Sequence, residues 1–242
     1  MPTESPDEFL KPSLRPSRIR RFVVRSALLE AVEWAAPRMS GTLIDVGCGS
    51  MPYRDHLRSL NPRITSYTGI DLPQSGYGKP DLEWNGKDLP LPAAYADTAM
   101  ATEVLEHCPR PEIVLQEVRR VLKPGGFFFF TVPFLWPLHC TPYDEYRYTP
   151  FSLRRLLTDA GFTGIHLEAM GGYNRALALM LGLYFGRPSR SPLKVGLQVA
   201  VAPVIKLLYG RDQPTAQFVE NQMITGLRGY AQAGPTDTVS SR

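Results

Sequence analysis

His139, Asp144 and Arg147 stand within one short stretch of an eighteen-residue run, 133–150, that reads Pro-Phe-Leu-Trp-Pro-Leu-His-Cys-Thr-Pro-Tyr-Asp-Glu-Tyr-Arg-Tyr-Thr-Pro. An imidazole titrates near neutrality, so His139 is the residue best suited to take a proton from a substrate hydroxyl. Asp144 could orient that imidazole or accept the proton itself, and Arg147 could clamp an acidic group. His107, in the pair Glu106-His107, is a second candidate base, and Tyr143 and Tyr148 add aromatic surface for a substrate. Each also has a plainer use: His139 as a turn cap, Asp144 with Arg147 as a structural ion pair. Long loops in compact domains are functional or disordered, and so many aromatic residues argue against disorder.

A second chemistry is written at 42–52, Thr-Leu-Ile-Asp-Val-Gly-Cys-Gly-Ser-Met-Pro. A β-branched run that breaks at two glycines and meets a proline opening an amphipathic stretch reads as strand, tight turn and helix. Gly47 and Gly49 let the backbone take unusual angles and let a ligand approach the main chain. A dinucleotide fingerprint needs a third glycine where Pro52 stands. Asp45 suits an ammonium or ribose hydroxyls better than phosphate, so a ligand with adenosine and an amino acid fits best. Asp71 follows about twenty residues after the glycines, the spacing at which a second-strand carboxylate takes a ribose diol in wound α/β folds.

The elements that must position these groups alternate. Strands are expected over 42–46, 66–70, 81–84, 97–102 and 127–132, and helices over 52–60 and 110–122. Such alternation argues for a parallel sheet whose buried strands are continuous apolar runs, and Phe127 to Phe130 is one. Lys123-Pro124-Gly125-Gly126 reads as a helix stop and turn before it. Glu103 then opens the loop after the fourth strand, on the edge where open α/β sheets bind ligands. A helix over 150–160 and a strand over 163–169 complete the sixth unit.

The segments Asp45 to Gly49, Gly69 to Asp71, Asp88 to Pro92, Glu103 to His107 and Arg120 to Gly126 together resemble class I S-adenosylmethionine-dependent methyltransferases, the type 11 branch in particular. The resemblance covers roughly residues 40–172 and implies an α/β fold: a Rossmann-like, doubly wound, seven-stranded sheet with the last strand antiparallel. It implies S-adenosylmethionine as cofactor, held by Asp45, Gly47, Cys48, Gly49, Asp71, Leu72, Asn85, Gly86 and Glu103, with Asn85 and Gly86 at the adenine. Two departures stand out: Met51 and Pro52 replace a glycine that many members carry, and Asn85 occupies a position that is often acidic. The pattern Val132-Pro133-Phe134, then His139, Pro142, Asp144, Arg147 and Thr149, resembles a bacterial subgroup in which this loop lines the acceptor pocket. That makes His139 and Asp144 the expected catalytic pair, and His107, Tyr143, Arg147 and Tyr148 the expected acceptor contacts. The implied function is methyl transfer to a small-molecule, sugar or lipid-linked acceptor at oxygen. A catalytically silent S-adenosylmethionine-binding scaffold is the alternative.

The remaining sequence sets boundaries. Proline-rich residues 1–16 are expected to lack regular order, followed by a helix within 17–38, a single domain over 17–232 and a flexible tail at 233–242. The last strand is expected within 220–231. Residues 175–209 read as two amphipathic helices added to the core, with no stretch approaching the roughly twenty uncharged apolar residues of a spanning helix. They could cap the pocket, form a homodimer interface or touch a membrane surface. Net charge is +4, concentrated in Lys11, Arg15, Arg18, Arg20, Arg21 and Arg25, a pattern most simply read as a solvated face. No nucleic-acid partner is expected, because Thr102-Glu103-Val104-Leu105 lacks the Asn/Asp-Pro-Pro-aromatic motif of base amino-group methylation. Cys48, Cys108 and Cys140 form no C-x-x-C pair, so neither a disulfide framework nor a cysteine-rich zinc site is expected; His107-Cys108 and His139-Cys140 could together be imagined as a metal site, but each lies within another motif, and no metal is expected. With no apolar signal-peptide core near the start, a cytoplasmic location is expected.

Overall fold

The computed structural model of the protein describes residues 6–73, 76–187 and 191–235. Strands β1 (Gly41–Val46), β2 (Ile64–Asp71), β3 (Leu82–Glu83), β4 (Ala96–Thr102), β5 (Leu122–Pro133), β6 (Phe162–Ala169) and β7 (Gly226–Ala233) form one sheet in the order β3-β2-β1-β4-β5-β7-β6. The pairs from β3 to β5 are parallel, and β7 runs antiparallel to both β5 and β6. The seven-stranded sheet with a reversed last strand is the expected one. The winding direction changes between β1 and β4, which opens a crevice at the carboxyl ends of those strands.

Helices α2 (Phe22–Ala35) and α3 (Arg54–Leu60) cover one face, and α4 (Pro111–Val121) and α5 (Pro150–Asp159) the other. The phenylalanine run shows why β5 lies in the middle. Phe128 and Phe130 pack with Val114, Leu115 and Val118 of α4 and Leu153 and Leu157 of α5. Phe129 points the other way, to Ala31 and Val32 of α2 and Leu57 of α3, as the two-residue period of a strand requires. On α4 the buried residues Val114, Leu115, Val118 and Val121 recur at helical spacing. The Thr149 side chain accepts from the Ser152 amide while Ser152 bonds back to the Thr149 amide, a reciprocal cap that ends the long loop and starts α5.

Four boundaries differ from expectation. Within the proline-rich start, α1 (Pro6–Leu10) forms and is tied down: Phe9 meets Tyr53 edge to face, and Arg18 reaches Glu8 at 3.3 Å. Its prolines flank the helix or open it, where a missing N–H costs nothing. Residues 1–5 lie outside the described residues. Lys123–Gly126 is a bulge within β5 rather than a turn before it, since Ala96 pairs with Leu122 and Thr98 with Phe127. The last strand starts at Gly226, opposite Pro133, and not at 220; just before it, the Thr225 carbonyl still accepts from the Phe134 and Leu135 amides. It runs to Ala233; the tail beyond, 236–242, lies outside the described residues.

The fourth difference is the helical addition. α6 (Tyr173–Phe185) and α7 (Pro192–Arg211) form a hairpin against α2, with the turn residues 188–190 outside the described set. Residues 193–211 of α7 are long and apolar enough, by length and composition, to cross a membrane, and only 17% of that stretch is buried. The expectation of two amphipathic helices with no such stretch is corrected for α7: its apolar residues go all round, and its only charged residues are Lys194, Lys206 and Arg211.

Candidate active site

The turn after β1 is held by backbone. Gly47 and Cys48 both donate to the Ile70 carbonyl, at 2.8 and 3.2 Å, and Gly47 takes φ +70. A Cβ on Gly47 would stand 2.5 Å from a Val104 methyl, so only glycine fits. Asp71, at the end of β2, accepts from the Gly49 amide at 2.8 Å and the Leu72 amide at 2.7 Å. The expected ribose carboxylate thus also fastens the glycine turn to β2. Cys48 is buried, so toward a ligand it offers backbone only.

Met51 stands where a glycine is common, yet adopts φ +54, the left-handed region that side chains rarely take. Room for it comes from the neighbouring strand: a Cβ on Gly69 would collide with Met51 Sδ at 2.4 Å.

Asp45 is buried beneath the turn. The Tyr67 hydroxyl donates to one carboxylate oxygen, and the other, Oδ1, has no partner among the described residues. Burial, with the charge of Asp71, outweighs the Tyr67 hydrogen bond and raises its pKa to about 7. Across the crevice, Glu103 also sits at positive φ (+55), its amide donating to Thr131, and its Oε1 is likewise unpartnered. Burial raises its pKa to about 7 despite a hydrogen bond to Thr131. Two buried carboxylates, each with an oxygen that has no hydrogen-bond partner among the described residues, and whose nearby arginines (Arg54, Arg25 and Arg147) do not offset burial, suit an ammonium group. A strained backbone at Glu103 is the kind of outlier that accompanies function.

The adenine edge is only partly as expected. Leu72 is half-exposed and faces Gly86, whose φ is +82; a Cβ there would sit 3.7 Å from Leu72 Cδ2. Asn85 is different: its side-chain oxygen accepts from the Lys87 and Asp88 amides, both at 2.8 Å, so it holds its own turn rather than facing the crevice. Sequence reasoning passed over Trp84, a buried indole whose N–H has no partner, and Tyr77, whose ring lies 3.7 Å from the Gly49 position and whose hydroxyl is 3.8 Å from Cys140 Sγ. Tyr77 links the glycine turn to the long loop. The signal for both was slight: a lone aromatic in polar surroundings.

The long loop brings its own residues together. Asp144 binds Arg147 through two contacts, at 2.7 and 2.9 Å, and accepts from the His139 amide at 3.1 Å and from His139 Nδ1 at 3.3 Å. The Arg147 guanidinium holds the Asp144 carboxyl well below the usual carboxylate range. Asp144 is therefore a positioning group; the alternative, that it accepts the proton, does not suit so weak a base. Arg147 is correspondingly committed to Asp144 and the Trp136 and Tyr146 carbonyls, not free as a substrate clamp. His139 keeps Nε2 open, and burial, reinforced by His107, lowers its pKa so that the neutral ring prevails at pH 7.

His107 meets His139 edge to face at 4.7 Å and donates from Nδ1 to the Tyr143 carbonyl at 2.8 Å. The Tyr143 ring itself is exposed. Tyr148, expected at the acceptor, is instead a core residue: it is 5% exposed and its hydroxyl donates to the Leu105 carbonyl at 2.9 Å. Glu106 was missed as a polar group. It is fully buried, with neither carboxylate oxygen hydrogen-bonded among the described residues and Oε1 3.7 Å from His107 Nε2, and burial together with the charge of Glu103 pushes its pKa well up. Its carbonyl accepts from Glu145 and Tyr146, anchoring the loop to the end of β4. His107, His139 and Cys140 offer ligand atoms within 4.8 Å of one another, so the fold brings together three of the four residues whose pairing as a metal site the sequence reading set aside.

All these groups line the carboxyl edge of β1, β2, β4 and β5, and the sheet order with its reversed last strand defines the class I S-adenosylmethionine-dependent methyltransferase fold. Residues 44–130 match the family model described as a methyltransferase domain, and S-adenosylmethionine is the cofactor that fold and family imply. Over 100 residues the chain is 33% identical to a fatty-acid O-methyltransferase of Mycolicibacterium smegmatis, covering 37% of this chain and 36% of the relative. Over 115 residues it is 30% identical to a ubiquinone biosynthesis O-methyltransferase of Paracidovorax citrulli, covering 41% and 47%. The matches thus span less than half the length of these curated relatives. Among solved structures, an S-adenosylmethionine-dependent methyltransferase of Thermotoga maritima aligns with TM-score 0.56 at 14% identity, over 88% of this chain and 93% of its own. One from Mesorhizobium loti aligns with TM-score 0.53 at 15% identity, over 87% and 99%.

The residues present fit the cofactor. The open oxygens of Asp45 and Glu103 suit its ammonium, the glycine turn admits close approach, and Asp71 stands at the end of β2, where wound α/β folds place a ribose carboxylate.

Proposed function

We propose that the protein is an S-adenosylmethionine-dependent O-methyltransferase acting on an apolar small molecule or lipid-linked acceptor, with His139 as the base and Asp144 as the residue that positions it. The observation that carries this reading is the His139–Asp144–Arg147 arrangement: Nδ1 of the imidazole is held by the Asp144 carboxylate, which Arg147 binds in turn, and burial favours the neutral ring that a base requires. The bound cofactor supplies a methyl carbon on a positively charged sulfur. This chain's residues do the rest: Asp45 and Glu103 hold the amino-acid end, Asp71 the ribose, and Leu72 and Gly86 flank the adenine. As the acceptor oxygen bonds the methyl carbon and the carbon–sulfur bond breaks, the hydroxyl proton passes to His139 Nε2. Transfer from a sulfonium needs alignment and a dry site more than covalent help. Both quoted curated relatives are named as O-methyltransferases, one of them of fatty acids, which supports oxygen as the acceptor atom and an apolar substrate.

Calorimetric titration with S-adenosylmethionine, S-adenosylhomocysteine and NAD, followed by an acceptor screen, tests the reading. Binding of the first two and not NAD is expected. His139→Ala should then remove turnover while leaving S-adenosylhomocysteine affinity unchanged. Loss of turnover on adding a chelator would transfer the role of His139 from base to metal ligand, and failure to bind either adenosyl ligand would overturn the assignment.

A further inference from the structure

The hairpin α6–α7 turns an unusual face to the outside. Gly196, Val199, Ala200, Pro203, Leu207 and Gly210 recur three or four residues apart along α7, and all are exposed, with Val199 58% and Leu207 56% exposed. Leu193, beside them, is 73% exposed. Leu177, Met180 and Tyr184 of α6 are exposed as well. Ordinary surface helices turn such residues inward. The inward side of α7 is already covered: Ile205 is buried, Val201, Ala202 and Leu208 pack beside it, and Gln198 and Tyr209 bond to the Phe185 carbonyl and Glu30, both at 2.8 Å, so the outer apolar residues are additional to a complete inner contact.

Charge supplies the identity of the partner. Between Glu168 and Asp212 the sequence contains no acidic residue and six basic ones. Of these, Arg175 is buried and serves the fold, bound to Glu30 at 3.0 Å. Arg187, Lys206 and Arg211 are exposed on the hairpin, and the exposed Arg20 of the preceding chain abuts its tip, where a Cβ on Gly186 would lie 2.6 Å from Arg20 Cβ. At that tip an open groove of about 290 Å³ is lined by Tyr184, Arg187, Leu193, Lys194 and Leu197, with Arg187 stacked on Tyr184 at 4.2 Å. An apolar helix face bordered by cations and free of carboxylates matches the surface of an anionic bilayer, apolar beneath and phosphate-rich above. A second copy of the chain would bring the same unpaired cations against each other.

We infer that the α6–α7 hairpin docks the protein on an anionic lipid bilayer, with α7 lying in the plane of the headgroups. Because α7 is fixed to α6 and α2 along its inner side, it lies on the membrane rather than through it. Leu135 and Trp136 of the long loop pack into the same cluster as Ile19, Leu179 and Ile205, so docking sets the acceptor end of the cleft beside the lipid. The inference extends the proposed apolar acceptor by giving it a source, and it can fail independently of that reading.

The experiment is flotation of the full chain with phosphatidylcholine vesicles, with and without phosphatidylglycerol, in the absence of any adenosyl ligand. Binding to the phosphatidylglycerol vesicles that weakens with salt is expected. The double variant V199E/L207E should bind at least about tenfold less, and R20E/R187E should lose the preference for anionic lipid. S-adenosylhomocysteine affinity, measured on the same samples, should be unchanged, which reports on the cleft separately and shows that the variants fold. No binding of the wild type to either vesicle, or equal binding to both at all salt concentrations, overturns the inference. So does a lipid-free dimer that V199E/L207E splits, because a second copy then covers the face.

Discussion

Cofactor affinity should depend on pH through Asp45 and Glu103. Burial raises the pKa values of both carboxyls to about 7, by more than the nearby arginines, Arg54 for Asp45 and Arg25 and Arg147 for Glu103, lower them. An ammonium placed against them favours their ionised forms, so binding must first remove any proton that they hold. A group with a pKa of 7 when free and near 4 when bound weakens affinity about tenfold between pH 8 and pH 6, and two such groups weaken it about a hundredfold. S-Adenosylhomocysteine is the ligand to titrate, because it carries the ammonium without the sulfonium. Asp45→Asn should reduce the hundredfold dependence to about tenfold. The same substitution tests the sign on stability. A carboxyl raised above its ordinary 3.8 favours the folded state when protonated and penalises it as pH rises through 7. The variant without ligand should therefore melt higher than wild type at pH 8 and show no such advantage at pH 4. Calorimetry from pH 6 to 8 decides the matter: a flat affinity in the wild type, or an Asp45→Asn variant that keeps the full slope, refutes the assignment of these carboxylates to the ammonium.

Gly47→Ala combines a left-handed backbone with a 2.5 Å collision against Val104, and should cost about 2–3 kcal/mol in stability together with most adenosyl-ligand affinity; an unchanged melting curve would refute the close-packing account. Tyr148→Phe deletes one buried hydrogen bond to the Leu105 carbonyl, and should cost about 1 kcal/mol, read by urea denaturation, with S-adenosylhomocysteine affinity and acceptor KM unchanged. A raised KM at unchanged stability would instead return Tyr148 to the acceptor pocket. Asp144→Asn should lower turnover, not KM for the cofactor, and alter the acid limb of the pH–rate profile, since it changes what holds His139.

Much of this was legible in the chain. Apolar runs with glycine punctuation carry the order of the sheet, because a buried parallel strand must be apolar on both faces, and Phe127 to Phe130 leaves no other reading. The cofactor turn was legible because a left-handed, closely approached backbone demands glycine at 47. What failed to show was what a side chain spends its hydrogen bonds on. Asn85, Arg147 and Tyr148 are the right types for recognition, yet each is satisfied within the protein, by a neighbouring turn, an ion pair and a carbonyl forty-three residues away in sequence. Glu106 and Trp84 were overlooked for the converse reason, since burial without a hydrogen-bond partner is a property of the fold and leaves no local mark. Periodicity also misjudged α7, whose apolar residues go all round the helix, and α1, which is held by contacts from α2 and Tyr53 rather than by its own propensity.

The Met51–Gly69 contact makes two positions on different elements genetically dependent. The space that a glycine would give at the turn has been transferred to β2, so neither site can be judged alone. Gly69→Ala should be harmful in this background and less so beside Met51→Gly, which removes the methionine contacts but leaves Cys48 Sγ 2.8 Å from the added Cβ, while Met51→Gly by itself should leave an unfilled space under the turn. In this chain the bulky residue at the turn therefore requires the small one on the strand, and a reading of the turn that looks only at its own residues misses half of the arrangement.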